Sequence, residues 1–396
     1  MIYRIEVWER SSGDQRPVGE MVCEVEDNGR TRSAFRYHDD YLSRQDSFTL
    51  DPVSLPLTAE TFSTTTRGIF GVFEDSLPDD WGRSLLIRKK RLPLREQNLP
   101  CLLLALGNTG LGVLSYTDDA APHTLNPEVA IIHLSTLVEE AEKVEQGETQ
   151  DAHIKLLLSA GSSPGGARPK AVVFDEDSET HYLAKFPSMK DREDVVRIEA
   201  ATMSLAAQAG LEVPRTHLVQ CAGKPVLLIE RFDIIPSGRR HMVSFQTLLK
   251  AGGYYQHRYE DLLNIVRKYS RDPLQDAGLL FRQMVFNAVV GNTDDHLKNF
   301  IMLYDQEQGW RLSPAFDLIP DVGRRGEHVL FFDWDTYFPG RVKLEALGRR
   351  WGIRYADRVV AEVFDAVASW KAVFASAGVT AKDIMRFRNI DDHLQS

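Results

Sequence analysis

The stretch from residue 279 to residue 319 changes character three times, and no other part of the chain limits the fold so tightly. It begins as LLFRQMVFNAVVGN (279–292), where Leu280, Met284, Val285, Ala288 and Val289 return at helical period. Gly291 supplies a C-terminal stop. A polar loop containing TDDHLK follows. NFIMLY (299–304) is then short, apolar and partly β-branched or aromatic, which reads as a strand. GWRLSPAFDLI (309–319) reads as its hairpin partner, with Asp317 near the end. The predicted order is helix, polar loop, hairpin, acidic residue.

Three side chains of this stretch share a chemistry. Four residues separate Asp294 from Asn299, and Asp317 lies eighteen residues beyond Asn299. Phosphoryl transfer asks little of a protein: one group to take or orient the nucleophile's proton, and oxygen ligands to fix Mg²⁺ on the phosphates. Mg²⁺ is content with one or two protein oxygens because phosphates and waters complete its octahedron. On this reading Asp294 is the proton acceptor, and Asn299 and Asp317 are the metal ligands. Singly, each aspartate could instead cap a helix or mark a turn. All three in this order, with the upstream elements below, point to a kinase-type centre. Asp295 reads as solvent-facing or loop-stabilising. His296 has no second His or Cys at ligand spacing, so it reads as a hydrogen-bonding residue. Lys298 would offset the carboxylates or touch the transferred phosphate.

The upstream half carries a second pattern. Residues 154–187 run strand (IKLLL), Gly-rich loop (SAGSSPGGARP), strand (KAVVF), acidic turn (DEDSE), strand (THYLAKF). A Gly-rich connection in a β layer lets backbone N–H groups approach phosphate oxygens closely. Lys185 lies on the third strand, where a kinase keeps its phosphate-pairing lysine, although a surface lysine on an edge strand would look the same. VVRIEAATMSLAAQAGLEVP (195–214) reads as a helix ended by Gly210, with Glu199 in its early turns. Glu199 is placed either to pair with that lysine, as in kinases, or as an ordinary exposed helix residue; spacing leaves both open. PVLLIERFD (225–233) is an apolar strand turning polar where a kinase hinge would lie, so backbone groups between Glu230 and Phe232 are candidates for holding adenine. Arg231 and Asp233 would pair locally.

Elsewhere, residues 1–58 alternate apolar and polar positions as short antiparallel strands do. FEDSLPDDWGRSLLIRKKRL reads as an amphipathic helix with Pro78 near its start and a basic last turn. GNTGLGVLSY (107–116) is a Gly-rich turn entering a strand; no GK[ST] follows and no βαβ unit surrounds it, so it reads as structural. STLVEEAEKVEQGETQ (135–150) reads as a charged surface helix, with a subdomain boundary near residue 150. From about residue 240 the chain is mostly helical by period, ADRVVAEVFDAVASWKAVFASAG (356–378) being a long amphipathic example.

Bulk properties exclude several classes. The net charge of −10 argues against direct nucleic-acid binding, which needs clustered Lys and Arg; RKKR (88–91) reads as a solvated helix end. No apolar run approaches a membrane span, and the N-terminus lacks the apolar core of a signal peptide. Three scattered cysteines suggest neither a zinc site nor a disulfide framework, and fit a reducing, cytoplasmic setting.

The motifs FEDSLPDDWGRSLL, LGNTGLGVLSY, SSPGGARPK, YLAKF, IERFD, GNTDDHLKNF and SPAFDLIP, in this order and spread over most of the chain, resemble the HipA family of serine/threonine protein kinases. Its members are the toxin halves of bacterial type II toxin–antitoxin modules. The resemblance implies an α+β, kinase-like bilobal fold, antiparallel and β-rich in its N-terminal part and mostly helical in its C-terminal lobe. It divides the chain into an N-terminal subdomain (1–150), a nucleotide-binding β layer with one helix (151–235) and a helical lobe with the catalytic and metal-binding loops (236–396). It implies ATP and Mg²⁺, with Asp294 as base, Asn299 and Asp317 on the metal, Lys185 on the phosphates and Lys170 near the nucleotide. It also implies phosphorylation of a serine in the Gly-rich loop, Ser163 or its neighbour Ser162, which adds negative charge where phosphates are cradled. Pro164 and Arg168 depart from the A-G-A-Q-E-K-like run of many relatives, and RHMVSFQTLL (240–249) lacks an acidic pair some of them show. Implied partners are a protein substrate, an aminoacyl-tRNA synthetase in known cases, and a small helix-turn-helix antitoxin through which DNA is met indirectly. Two other readings stay open: a small-molecule kinase of aminoglycoside or lipid type, and a kinase-like co-repressor scaffold for a DNA-binding antitoxin.

Overall fold

A computed structural model describes the chain except residues 66, 120, 123–128, 148–156, 158–167, 254 and 324. The expected boundary near residue 150, the loop with Ser162 and Ser163, and all of IKLLL but Leu157 therefore lie outside the described residues. The architecture is α+β, with antiparallel sheets and helices. Its two compact units are each assembled from non-adjacent stretches: Met1–Ser188, Arg231–Gly252 and Leu303–Gly309 in one, Met189–Glu230, Gly253–Met302 and Trp310–Ser396 in the other.

In the first unit, the alternation of residues 1–58 becomes a five-stranded antiparallel sheet. Across it the order is Phe62–Thr64, Thr31–Tyr37, Arg16–Val25, Ile2–Glu9, Leu114–Thr117. Ile5 faces Met21 and Met21 faces Phe35, so one apolar stripe crosses three strands, and all three side chains are buried. Phe73 packs on that stripe, its ring 5.2 Å from Phe35 and 6.2 Å from Tyr116. Burying side chains of this size stabilises the sheet by roughly 1.5–3 kcal/mol each.

The predicted helix FEDSLPDDWGRSLLIRKKRL is in fact two. Gly71–Glu74 is a single turn, and a new helix runs Asp80–Lys90. Pro78 is the cause: it disfavours helical backbone at the residue before it. Asp79 then restarts the helix as N-cap, its carboxylate accepting from Gly82 N at 3.0 Å. The RKKR run is exposed at the far end, as expected.

In the second unit, the helix Pro273–Val290 is buried nearly all round, including Leu280, Phe281, Met284, Val285, Phe286, Val289 and Val290. A helix apolar on every side belongs in a core. It packs against Tyr259–Tyr269 and Ala356–Val367. The predicted long helix 356–378 is interrupted, resuming as Trp370–Ser376. Ser369 Oγ donates back to Ala366 O at 2.8 Å, the local bonding by which serine competes with helix continuation.

Candidate active site

The core helix Pro273–Val290 aims the acidic loop. It ends on Gly291 at φ +70°, a left-handed backbone that glycine adopts without penalty, and Asn292 N returns to Asn287 O at 2.9 Å. Residues 292–296 have no regular structure, and a short 3₁₀ turn, Leu297–Asn299, follows. The two adjacent aspartates here part company. Asp294 is exposed, its side chain 57% accessible, with Oδ1 taking a 3.1 Å bond from Arg325. Asp295 is buried, corrected from its solvent-facing alternative to the loop-stabilising one.

Asn299 is buried, and its Nδ2 donates to the backbone carbonyl of Asp294 at 3.0 Å. Two residues recognised by spacing are thus tied directly together. With its amide N–H committed to that carbonyl, Oδ1 is what Asn299 has to offer a cation. Asp317 sits half-buried in the same unit at φ +55°. Non-glycine residues seldom take this conformation, aspartate more often than most, and such positions cluster at ligand clamps. The predicted strand 309–319 is shorter than expected: it spans Gly309–Leu312, Ser313 N still reaches Ile301 O at 2.9 Å, and Pro314, lacking an N–H, ends the pattern. Asp317 therefore lies on irregular chain. That chain is held to the core helix at both sides: Leu312 N and Arg311 bond the buried carboxylate of Asp276, and Asp321 N bonds Gly291 O at 2.8 Å.

Among the described residues, no three His, Cys, Asp or Glu side chains gather as a metal-holding cluster. The side-chain oxygens of Asn299 and Asp317 are of the donor type taken by a hard cation that keeps most of its ligands as water and phosphate.

The first unit carries the basic partners. Lys170 begins the strand Lys170–Asp175 and Lys185 ends Thr180–Lys185; in the antiparallel register they are direct cross-strand partners. Directly opposed like charges destabilise a sheet unless an anion intervenes. Here Asp79 is one such anion: its carboxylate pairs with the buried Lys170 ammonium while capping the helix Asp80–Lys90. The structure thus brings Lys170 and Lys185 together, and separately Asp294 and Asn299.

Glu199, on the helix Val195–Gln208, is 3% exposed, so its alternative as an ordinary exposed helix residue is set aside. At the expected hinge, Glu230 N is taken by Arg215 O and Arg231 N by His181 O, both at 2.9 Å, while Phe232 O accepts from Arg240 at 3.3 Å. An adenine contact would have to use other backbone atoms there. Arg231 does pair with Asp233 through two hydrogen bonds. Burial works to raise the Asp233 carboxyl, but Arg231, Arg239 and the Gly112 amide together hold it well below the usual carboxylate range. Gly112 N donates to Asp233 at 3.0 Å, which gives GNTGLGVLSY its structural role.

Sequence reasoning missed Asp79, Arg325 and His328. A signal existed only for Asp79, since Pro-Asp-Asp ahead of an amphipathic run marks a helix start.

Comparisons with known proteins agree in direction. Residues 14–117 match the HipA N-terminal domain family and residues 162–371 the HipA-like C-terminal domain family. The candidate kinase Y4mE of Sinorhizobium fredii is 30% identical over 320 residues, covering 73% of this chain and 72% of that one. A second candidate kinase of the same organism, Y4dM, is 26% identical over 333 residues, 78% of this chain and 77% of its own. Among solved structures, the fold is similar to the Shewanella oneidensis MR-1 toxin–antitoxin complex of HipA, HipB and operator DNA. The TM-score is 0.71 at 19% identity, covering 98% of this chain and 95% of that one. No described helix is long and apolar enough to cross a membrane.

Proposed function

The chain belongs to the HipA family, and on that premise we propose that this kinase moves the γ-phosphoryl group of ATP to a serine or threonine of a protein. One observation carries the site assignment. Of two neighbouring aspartates only Asp294 is presented to solvent, and the asparagine five residues on is bonded to its carbonyl. Asp294 takes or orients the acceptor hydroxyl's proton. Asn299 and Asp317 would hold Mg²⁺, which would offset the negative charge of the phosphates. Lys185 and Lys170 contact the phosphates, the latter exchanging Asp79 for a phosphate oxygen. Glu199 would belong to the nucleotide-binding set, and backbone near Glu230 and Phe232 would hold the adenine.

By family likeness the acceptor is a protein of translation, an aminoacyl-tRNA synthetase, and the partner a helix-turn-helix antitoxin that brings the kinase to DNA as co-repressor. Ser163 or Ser162 would be a self-phosphorylation site. A small-molecule acceptor would call for a deep acidic cleft beside Asp294; Asp295, being buried, adds no exposed carboxylate there, which supports the protein acceptor.

The test is transfer of labelled phosphate from ATP by wild type and Asp294→Ala. Loss of the base is expected to lower the rate about 10²–10⁴-fold. Mass spectrometry of the same samples reports whether Ser162 or Ser163 is labelled. Equal rates would remove Asp294 from the mechanism.

A further inference from the structure

Asp295 is buried to 1% exposure, yet both its oxygens are fully used. Oδ2 accepts from Tyr259 OH at 2.6 Å and from His328 Nδ1 at 3.0 Å. Oδ1 accepts from Val329 N at 2.7 Å and, more weakly, from Leu330 N at 3.4 Å. A carboxylate has no proton to give, so His328 carries its hydrogen on Nδ1. Burial and the Asp295 carboxylate beside it raise the Tyr259 phenol well above its ordinary value, so the hydroxyl stays protonated and donates. Tyr259 OH accepts in turn from Asn287 Nδ2 at 3.0 Å, and Asn287 Oδ1 accepts from Asn292 Nδ2 at 3.1 Å. The chain of bonds runs from the core helix, through the start of the acidic loop, to the segment after Asp317.

That segment is pinned on both sides of Arg325. Asp321 N bonds Gly291 O before it; Val329 N bonds Asp295 after it, and Phe331 exchanges backbone bonds with His257 and Tyr259. Phe332 stacks on the Tyr259 ring at 5.5 Å. Arg325, held between these anchors, is the residue that reaches Asp294.

We propose that Asp295, Tyr259 and His328 are positioning residues for phosphoryl transfer: drawing Asp295 inward turns Asp294 outward and fixes residues 318–323 and 325–332 against the catalytic loop. The inference rests on the proposed function and deepens it. Neither the loop nor the segment can shift alone without stranding a buried carboxylate, so the two move as one body. None of the three residues touches substrate. Their effect is geometric, and a displacement of the base by about 1 Å is expected to lower kcat by up to ~10²-fold.

Asp295→Asn keeps the shape and removes the charge; Tyr259→Phe keeps the ring and removes one donor; His328→Asn keeps a donor near Nδ1 and His328→Phe does not. Each is compared with wild type for kcat and KM of Mg-ATP in self-phosphorylation, and for amide hydrogen exchange over residues 318–332. The expected result is a kcat lowered about tenfold or more in Asp295→Asn, Tyr259→Phe and His328→Phe, with KM for ATP within about twofold. Exchange should be faster at Val329 and Leu330, and His328→Asn should recover most of the rate. Folded variants with unchanged kcat, or with a loss lying wholly in KM, would overturn the inference while leaving the kinase reading intact. Should Asp295→Asn fail to fold, Tyr259→Phe and His328→Phe decide. A wild type that transfers no phosphate sinks the proposed function first, and this inference with it.

Discussion

The acidic loop and the basic hairpin handle buried charge in opposite ways. In the loop, Asp295 has four donors, two of them backbone amides, and nothing about that arrangement invites exchange. In the hairpin, two lysines face each other across a strand pair, and the carboxylate beside Lys170 is also busy capping a helix. A charge saturated by its own fold acts as a structural pin. A charge paired with a carboxylate that also caps a helix, with a second cation alongside, is on the proposed function the one that accepts a different anion. The two regions differ less in burial than in how replaceable the counter-charge is.

Removing that counter-charge is the strongest way to break the contrast. Asp79→Asn retains a good helix cap but leaves the Lys170 ammonium facing Lys185 without its carboxylate. Breaking a buried pair from one side is expected to destabilise the chain by about 3 kcal/mol. Mg-ATP should restore more stability to this variant than it gives wild type, because phosphate oxygens take the place of the missing anion. Thermal unfolding with and without Mg-ATP measures both effects. If nucleotide stabilises the variant no more than wild type, Lys170 is a structural cation and leaves the list of phosphate contacts.

How much of this could be read from sequence follows the same division. Gly291 and the apolar period before it predict the core helix correctly, because both signals are local. The tie between Asp294 and Asn299 is also local, five residues apart, and spacing found it. The opposite fates of Asp294 and Asp295 are not local. They depend on Tyr259 and His328, 36 and 33 residues away, and no periodicity reports such partners. Glu199 was ambiguous for a related reason: its helix is buried on most sides, which the residue's own neighbours in sequence do not reveal. Breaks within helices were overlooked where one residue overrides a good pattern, Pro78 in one case and Ser369 in the other.

A third kind of buried charge group sharpens the comparison from the neutral side. His241, in the strand His241–Ser244, is 2% exposed and its Nε2 bonds the carbonyl of Leu50 at 2.7 Å, in contrast to the carboxylate beside His328. Burial lowers its pKa to about 4, the carbonyl opposing this only in part. Unfolded, the ring would protonate near its ordinary value of 6.5, so the unfolded state binds the extra proton first. Stability is therefore whole above about pH 6.5 and is lost as the pH falls toward 4, by on the order of 3 kcal/mol. Urea unfolding at pH 7 and pH 4.5 should show a steeper loss for wild type than for His241→Gln, which keeps a donor for Leu50 and does not titrate. Parallel losses in the two proteins would mean that other groups carry the acid sensitivity.

The smallest expected effect is the most telling about the site itself. Arg325 and Asp294 form a salt bridge whose side chains are each more than half exposed. Exposed pairs of this kind contribute about 0–1 kcal/mol and weaken with salt, so Arg325→Ala should barely move the unfolding midpoint. Its kinetic effect is the informative one. On the proposed function Arg325 pairs with the carboxylate that takes the hydroxyl proton, so it would have to be released or shifted before an acceptor approaches Asp294. Deleting it should then lower KM for the protein acceptor by a few-fold and leave the response to ATP unchanged. A large fall in kcat instead would mean that Arg325 stabilises the transferring group, and the pair with Asp294 would be its parked position between turnovers.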